Sequence, residues 1–377
     1  MSDILPRKND MKICFQILSL KLSGGAEKVL ASLASELALR GYDVSVVCLP
    51  RDGRGSFYPL NKNVKLHYLE GWDTETRLVK RSKKFRNLKR LGILYKMLKK
   101  IKPDISVSFL TDMTVYSARA AKLAGIPHIS CERNSPWDKP EKEEKRIRRN
   151  RAFAQSKACV VQTEAIKAYF EDNIQRKTFV IPNPVTLTSP PLFEYDQRAN
   201  RIVSVGRITE QKNQQLLINA FAVFHKEHPE YTLEIYGKDF GSRGKLEDLI
   251  AAHNLENCVS ILDPITDLHK KIKSAKLFVL TSKFEGYPNA LAEAVSLGIP
   301  CISTDCQSKG PEHILDFGRR GILILPNDAD ALYNAMNRLV TDKDLAKLFS
   351  ERGIEFGKHS TMESFVDKWE HIFATLV

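Results

Sequence analysis

"KICFQILSLKLSGGAEKVLASLASELALRGYDVSVVCL" occupies residues 12–49, and its reading decides the fold. "KICFQILSL" (12–20) is a short apolar run with β-branched and aromatic residues, the signature of a buried strand. "GAEKVLASLASELALRG" follows, with Val29, Leu30, Leu33 and Leu37 recurring on one face of a helix. Gly41 stops that helix, and "YDVSVVCL" begins another strand. A strand, a crossover helix and a strand in so short a span make a βαβ unit, which demands a parallel sheet.

The same alternation continues. "VKLHYL" (64–69), "DISVSFL" (104–110), "IPHISC" (126–131), "ACVVQT" (158–163) and "TFVIP" (178–182) read as strands, with a helix through "YSARAAKLAG" between the second and third. At "VIPNPVTLTSPPLFEYDQRAN" (180–200) the periodicity disappears and prolines cluster, the composition of a linker. Beyond it come "RIVSVG", a helix through "QQLLINAFAVFHK", "YTLEIYG", "KLFVLTS" and "IPCIST". The expected organisation is two doubly wound α/β domains, 1–183 and 184–360, facing each other across a cleft, with a helix over 361–377 that can return to the first domain. Open parallel sheets bind ligands outside the carboxyl ends of their strands.

At 377 residues, 43% hydrophobic and 27% charged, the chain is an ordinary globular one with enough length for two cores. The N-terminal "MSDILPRKND" is polar, and no later run approaches the length of a membrane span. Seven scattered cysteines without a C-x-x-C pair suggest neither a disulfide framework nor a zinc site. Residues 1–184 carry 36 Lys+Arg against 19 Asp+Glu, a balance of +17. The whole chain is +13, which leaves −4 for the remainder. Such asymmetry points to an anionic partner for the first domain alone.

Four stretches stand where this architecture puts ligands. "SGGAEK" (23–28) opens the first helix with Gly24 and Gly25, which let a ligand approach the backbone, although no spaced Gly-x-Gly fingerprint occurs. "VGRITEQKN" (205–213) sets Arg207 and Lys212 on one strand-to-helix connection, a fork and a point charge suited to phosphate or simply solvated. "TSKFEGYPNALAEAVSLGIPCIST" (281–304) ends a strand, places Glu285, turns through Gly-Tyr-Pro and starts a helix expected over 288–297, with Glu293 inside it. The leading amides of Asn289, Ala290 and Leu291 form an anion site, and Tyr287 lines the same turn. Glu285 is a poor capping residue type, which favours a ligand role over a cap. "SCERNSP" (130–136) puts Glu132, Arg133 and Asn134 at a strand's carboxyl end, as a site or as a surface pairing.

Taken in order, "SGGAEKV", "IPNPV", "VGRITEQKN", "EGYPNALAE" with its E-x7-E spacing, and "DCQSKGPEHIL" resemble the retaining glycosyltransferases of family 4, which have the GT-B fold. The resemblance covers nearly the whole chain. It implies that Arg207 and Lys212 neutralise a nucleotide diphosphate, that Glu285 contacts donor-sugar hydroxyls, and that Glu293 grips the ribose. It also implies that Gly24 and Gly25 close on the donor, and that Glu132, Arg133 and Asn134 touch the acceptor or donor sugar. Many relatives carry a histidine at that last strand end, and a glycine where this chain has "LDPITD" (262–267). Lys309 interrupts what is usually a glycine turn.

The implied reaction is metal-independent transfer of a hexose or N-acetylhexosamine from a nucleotide sugar, UDP-sugar ahead of GDP-mannose, to a glycan or polyprenyl-linked acceptor. No cofactor and no metal are expected. A sugar-nucleotide epimerase of similar fold is the rival enzyme. A nucleic-acid protein, favoured only by the basic half, lacks any recognition motif. "RLVKRSKKFRNLKRLGILYKMLKKIK" (77–102) contains twelve basic residues and no acidic one. Its Leu88, Leu91, Tyr95 and Leu98 recur at helical spacing, as a stripe packed on the first domain beneath solvated lysines or as part of a membrane-facing helix. Lys80, Arg81, Lys83, Lys84 and Arg86 are then the residues expected to hold an anionic leaflet, at the cytoplasmic face of the inner membrane.

Overall fold

The computed structural model describes residues 11–22, 24–50, 53–73, 82–137, 143–191, 195–265 and 267–377. They fall into two compact units, residues 1–183 together with Met362–Val377, and Pro184–Thr361. The first holds β1 (Lys12–Gln16), β2 (Asp43–Cys48), β3 (Lys65–Tyr68), β4 (Ile105–Phe109), β5 (His128–Cys131), β6 (Ala158–Val161) and β7 (Thr178–Val180). The second holds β8 (Ala199–Val205), β9 (Thr232–Tyr236), β10 (Val259–Leu262), β11 (Ala275–Leu280), β12 (Cys301–Thr304) and β13 (Ile322–Ile324). All pairings are parallel, in the orders β3-β2-β1-β4-β5-β6-β7 and β10-β9-β8-β11-β12-β13. Each sheet is therefore wound outward in both directions from its first strand. Each reverses at one point, between β1 and β4 and between β8 and β11, where the crevice of a doubly wound sheet opens.

The first helix, Gly25–Leu39, buries the stripe read from the sequence, Val29, Leu30, Leu33 and Leu37. It shares a core with Phe15, Phe109 and the C-terminal helix Met362–Ala374. That last helix contributes Phe365, Trp369 and Phe373, with Trp369 stacked on Phe109 at 6.3 Å. Fully burying one phenylalanine contributes about 1.5–3 kcal/mol, so this face is a large part of the first unit's core. Arg40 fixes the same helix from outside through Asp367 at 2.5 Å and Glu370 at 3.0 Å.

The basic segment forms the helix Lys83–Ile101. Its buried stripe is Leu91, Leu94 and Leu98, with Tyr95 partly covered. Leu88, expected in that stripe three residues before Leu91, is 63% exposed, so the buried part of the stripe begins at Leu91. Leu94 shares a face with Leu91 and Leu98, since offsets of three and four residues meet on a helix. Lys80 and Arg81 lie outside the described residues.

Two edge strands, β10 and β13, complete the second sheet beyond those expected. Arg198, at the end of the proline-rich seam, is buried beneath this sheet. It donates to the carbonyls of Lys273 at 2.5 Å and Ala275 at 3.2 Å, and to Leu297 at 3.3 Å and Gly298 at 2.6 Å, which close the helix Asn289–Ser296. A cation on the last carbonyls of a helix is favourably placed. All seven cysteines are free thiols. No helix among the described residues is long and apolar enough to cross a membrane.

Candidate active site

The second unit brings its chemical side chains to the β8/β11 reversal. The connection after β8 carries Arg207 and Lys212, and the connection after β11 carries Ser282 and Glu285. Gln211 ties the two together. Its side-chain amide donates to the Phe284 carbonyl at 3.0 Å, and its carbonyl accepts from the Lys283 amide at 2.8 Å. Thr281 adds a hydroxyl that reaches the Lys212 and Asn213 carbonyls, both at 3.0 Å. Gln211, Thr281 and Ser282 are not among the residues picked out by sequence. A loop-to-loop tie has no local signature, because each partner is chosen by the other loop.

Across this joint, Lys212 Nζ forms an ion pair with Glu285 Oε1, and the Ser282 hydroxyl donates to the same oxygen at 2.6 Å. Glu285 is 8% exposed. Both bonds converge on Oε1, and Oε2 accepts nothing among the described residues. An ammonium has three donors, so Lys212 keeps two beyond this bond. Arg207 is exposed. It touches Gln211 Oε1 at 3.3 Å and lies 5.7 Å from the Phe240 ring. The packing that sets these loops is tight. A Cβ on Gly237 would stand 1.9 Å from the Gly206 carbonyl, and one on Gly310 would stand 2.2 Å from the Gly286 carbonyl. Glycine is required at both crossings.

The helix after Glu285 runs Asn289–Ser296, one residue shorter at each end than the span read from sequence, with Pro288 as its N-cap. Its first internal bond runs from the Ala292 amide to the Pro288 carbonyl, so the amides of Asn289, Ala290 and Leu291 precede the helical ladder. The N-cap residue, Pro288, makes no side-chain capping bond, and no acidic residue occupies the first turn. Glu285 is thus not a cap, since its oxygen is taken by Lys212 and Ser282. Tyr287 is 6% exposed and packs into the apolar cluster beneath the turn, and burial raises its phenol well above the ordinary range. Glu293 Oε2 meets His269 Nε2 at 3.1 Å. The Thr188 amide donates to His269 Nδ1 at 3.0 Å, which leaves Nε2 as the protonated nitrogen, donating to Glu293. Lys309 takes a left-handed conformation, φ 57°, the geometry a glycine would adopt without strain. Its ammonium reaches Asp305 at 2.5 Å and Glu312 at 2.9 Å, and the bond to Asp305 foremost raises its pKa.

In the first unit the expected residues are placed as follows. Gly24 caps the helix Gly25–Leu39, and a Cβ on it would lie within 2.1 Å of Glu27 Oε2. The Glu27 carboxylate therefore folds back over the helix end, an arrangement that only glycine at 24 permits. Glu132 is 4% exposed and accepts from the amides of Arg133 at 3.0 Å and Asn134 at 3.1 Å, and from the Thr111 hydroxyl. Burial pushes its pKa up against those bonds. Arg133, 6% exposed, stacks 4.7 Å from the Phe109 ring and donates to Asn183 at 3.1 Å. Only Asn134 of this triplet faces solvent. No group of three or more His, Cys, Asp or Glu side chains able to hold a metal occurs among the described residues.

Comparison with known proteins supplies the context. Residues 193–356 match the family "Glycosyl transferases group 1", and residues 23–189 match "Glycosyltransferase Family 4". The chain is 24% identical over 378 residues to the amylovoran biosynthesis glycosyltransferase AmsD of Erwinia amylovora, covering 96% of this chain and 99% of that one. It is 25% identical over 348 residues to the UDP-Gal:alpha-D-GlcNAc-diphosphoundecaprenol alpha-1,3-galactosyltransferase of Escherichia coli, covering 86% and 87% respectively. Among solved structures, Anabaena HepE in complex with UDP superposes with a TM-score of 0.77 at 18% identity, over 97% of this chain and 100% of that one.

Proposed function

Since the chain belongs to the family 4 glycosyltransferases and has their GT-B fold, we propose that it moves a hexose or N-acetylhexosamine from a UDP-sugar to a lipid-linked glycan, with retention of configuration, in bacterial surface polysaccharide synthesis. The carrying observation is the Lys212–Glu285 pair at the β8/β11 reversal, beside the N-terminus of the helix Asn289–Ser296. As the glycosidic bond of the donor stretches, negative charge gathers on the departing diphosphate. Lys212, Arg207 and the amides of Asn289, Ala290 and Leu291 supply fixed positive potential for that charge. Glu285, neutralised at Oε1, offers Oε2 to a donor-sugar hydroxyl near the reacting carbon. Glu293, oriented by His269, takes the ribose. Support for a uridine nucleotide comes from the Anabaena complex and from the donor named for the Escherichia coli relative. A thermal-shift series with UDP, UDP-sugars, GDP and GDP-mannose tests the donor. A rise in unfolding temperature with the uridine set alone is expected. A rise with the guanosine set alone overturns it.

With the diphosphate charge met by side chains and amides, transfer proceeds without a metal. Turnover that EDTA abolishes and manganese or magnesium restores would reverse this reading.

The proposal extends to the membrane surface. The helix Lys83–Ile101 spends its apolar stripe on the first unit's core, yet Phe85 and Leu88 are 57% and 63% exposed beside Lys84 and Arg86. Apolar side chains among cations suit an anionic interface. Co-sedimentation with anionic but not neutral vesicles is expected, falling with salt. It should be lost when Lys80, Arg81, Lys83, Lys84 and Arg86 become Glu. Equal sedimentation by both chains would place the contact elsewhere.

A further inference from the structure

The first unit contains a cavity of about 240 Å³ that none of the roles above uses. Leu18, just past β1, and Thr111 and Asp112, just past β4, stand on its wall, so it opens at the β1/β4 reversal. That is the counterpart, in the first sheet, of the β8/β11 reversal in the second. Its volume is below the ~300–1,000 Å³ of pockets for drug-sized ligands, which is room for one ring and a substituent rather than an oligosaccharide.

Three cations line it. Arg90 is held in place by four contacts. It donates to the Trp72 carbonyl at 3.5 Å, Asp73 at 3.1 Å and the Tyr116 hydroxyl at 3.4 Å, and lies 5.4 Å from the Trp72 ring centre. Lys145 and Arg148 come from one face of the helix Glu143–Gln155, three residues apart. Neither is in an ion pair among the described residues. Cations without carboxylate partners on a concave wall mark the place of an anion. Yet the wall also carries Asp112, which is exposed, and the half-buried Tyr116, whose hydroxyl donates to Asn87 at 2.9 Å. A bare anion would be repelled by Asp112. A ligand with hydroxyl donors at one end and a phosphate at the other satisfies both groups, with Leu18 and Val115 against its C–H face.

We propose that this cavity is an acceptor subsite for a sugar bearing a phosphate group, with Lys145 and Arg148 on the phosphate and Asp112 on the ring hydroxyls. It rests on the glycosyltransferase reading for the term acceptor, while the ligand chemistry rests on the cavity alone. The phosphate belongs either to the sugar itself or to the linkage of a lipid carrier, and both present the same dianionic or diester group to the wall.

The test is calorimetric titration of the full-length chain with glucose 1-phosphate, glucose, glucuronate and inorganic phosphate. The wild type is compared with the double variant Lys145→Gln, Arg148→Gln. Both side chains lie near the surface and outside the core, and Arg90 is left intact because it braces Trp72. The wild type should bind glucose 1-phosphate at least about tenfold more tightly than glucose or inorganic phosphate, and the variant should lose that advantage. Any nucleotide-site contribution is common to both chains and cancels in the comparison. Equal affinities of the two chains for glucose 1-phosphate overturn the subsite. Inorganic phosphate binding as tightly as the sugar phosphate removes the sugar, and glucuronate binding as tightly removes the preference for phosphate. A parallel titration with UDP should give the same affinity for both chains. Failure of UDP to bind either one would count against the donor reading and leave the cavity result standing. A polyprenyl phosphate sugar in mixed micelles, bound by the wild type more tightly than glucose 1-phosphate, assigns the phosphate to the carrier. Equal binding assigns it to the sugar.

Discussion

Two helix ends in this molecule each follow a strand at the reversal of its sheet and are finished differently. In the first unit, Gly25–Leu39 follows the central strand β1, and its N-terminus is covered by its own Glu27. In the second, Asn289–Ser296 follows β11, with proline as its cap and no acid in its first turn. Both termini carry partial positive charge. At the first the Glu27 carboxylate lies over the N-cap glycine, and at the second the proposed donor phosphates would meet that charge. The difference is one of finish, although each helix begins at a glycine-containing turn after an apolar strand.

The contrast is broken most severely at the joint beside the second end. Glu285→Gln and Lys212→Ala should each lower transfer by at least about 100-fold with the fold intact, since each removes one partner of a preorganised charge pair. Purified variants with near-normal turnover and unchanged circular dichroism would remove both residues from the mechanism. The next effect comes from making the second end resemble the first. Ala290 is half-buried in the first turn, and Ala290→Glu puts a carboxylate where the donor phosphates are proposed to sit. UDP affinity should fall about tenfold, roughly 1.4 kcal/mol, by calorimetry. An unchanged affinity would mean that the phosphates avoid this terminus.

How much of this contrast could be read in advance depends on what each residue answers to. At the second end the strand, the turn and the helix start were legible because their signals are local: an apolar run, a glycine, a proline and a helical period in sequence. At the first end the position of the Glu27 carboxylate over Gly24 was not legible, because "SGGAEK" carries no local signal for where that side chain turns. The central strands announced themselves by apolar runs. The edge strands β10 and β13 did not, being four and three residues long with only one buried residue each. Glu132 and Arg133 looked chemical for a sound reason, charge at a strand end. Their partners, Thr111, Phe109, Asn183 and the C-terminal Trp369, are distant in sequence, so their burial and bonding were invisible.

The two units also differ in how they hold a buried histidine. His269 in the second sits against Glu293, whereas His128 in the first lies between the Ser106 and Ser108 hydroxyls at 2.9 and 3.0 Å, with no carboxylate bonded to its ring among the described residues. Burial lowers the His128 pKa to about 3. The unfolded chain therefore binds a proton near pH 6.5 that the folded unit refuses, and stability falls as pH drops through 6.5 toward 3. The slope from this one group reaches about 1.4 kcal/mol per pH unit. All three tryptophans, Trp72, Trp137 and Trp369, lie in the first unit, so their fluorescence reports its unfolding. Urea midpoints should fall between pH 6.5 and 5.5 in the wild type and be flatter in His128→Asn. Identical pH slopes would assign the acid sensitivity to other groups.

The smallest effect probes the first end itself. If the Glu27 carboxylate satisfies the helix terminus of the first unit and does nothing else, Glu27→Ala should cost about 1 kcal/mol, the usual worth of a cap. The loss should appear in the same tryptophan-detected transition, because that helix packs its Leu30, Leu33 and Leu37 into the cluster containing Trp369. UDP affinity should not change, since the nucleotide is assigned to the second unit. Gly24→Ala should give a comparable loss by a different route. Its new Cβ displaces the carboxylate, whose reach is a flexible side chain and not backbone. The two substitutions should then be non-additive, because removing the carboxylate also removes what the Cβ collides with. A double variant losing the sum of both would show that Gly24 and Glu27 act separately. A drop in UDP affinity in Glu27→Ala would mean that this end, too, belongs to the donor.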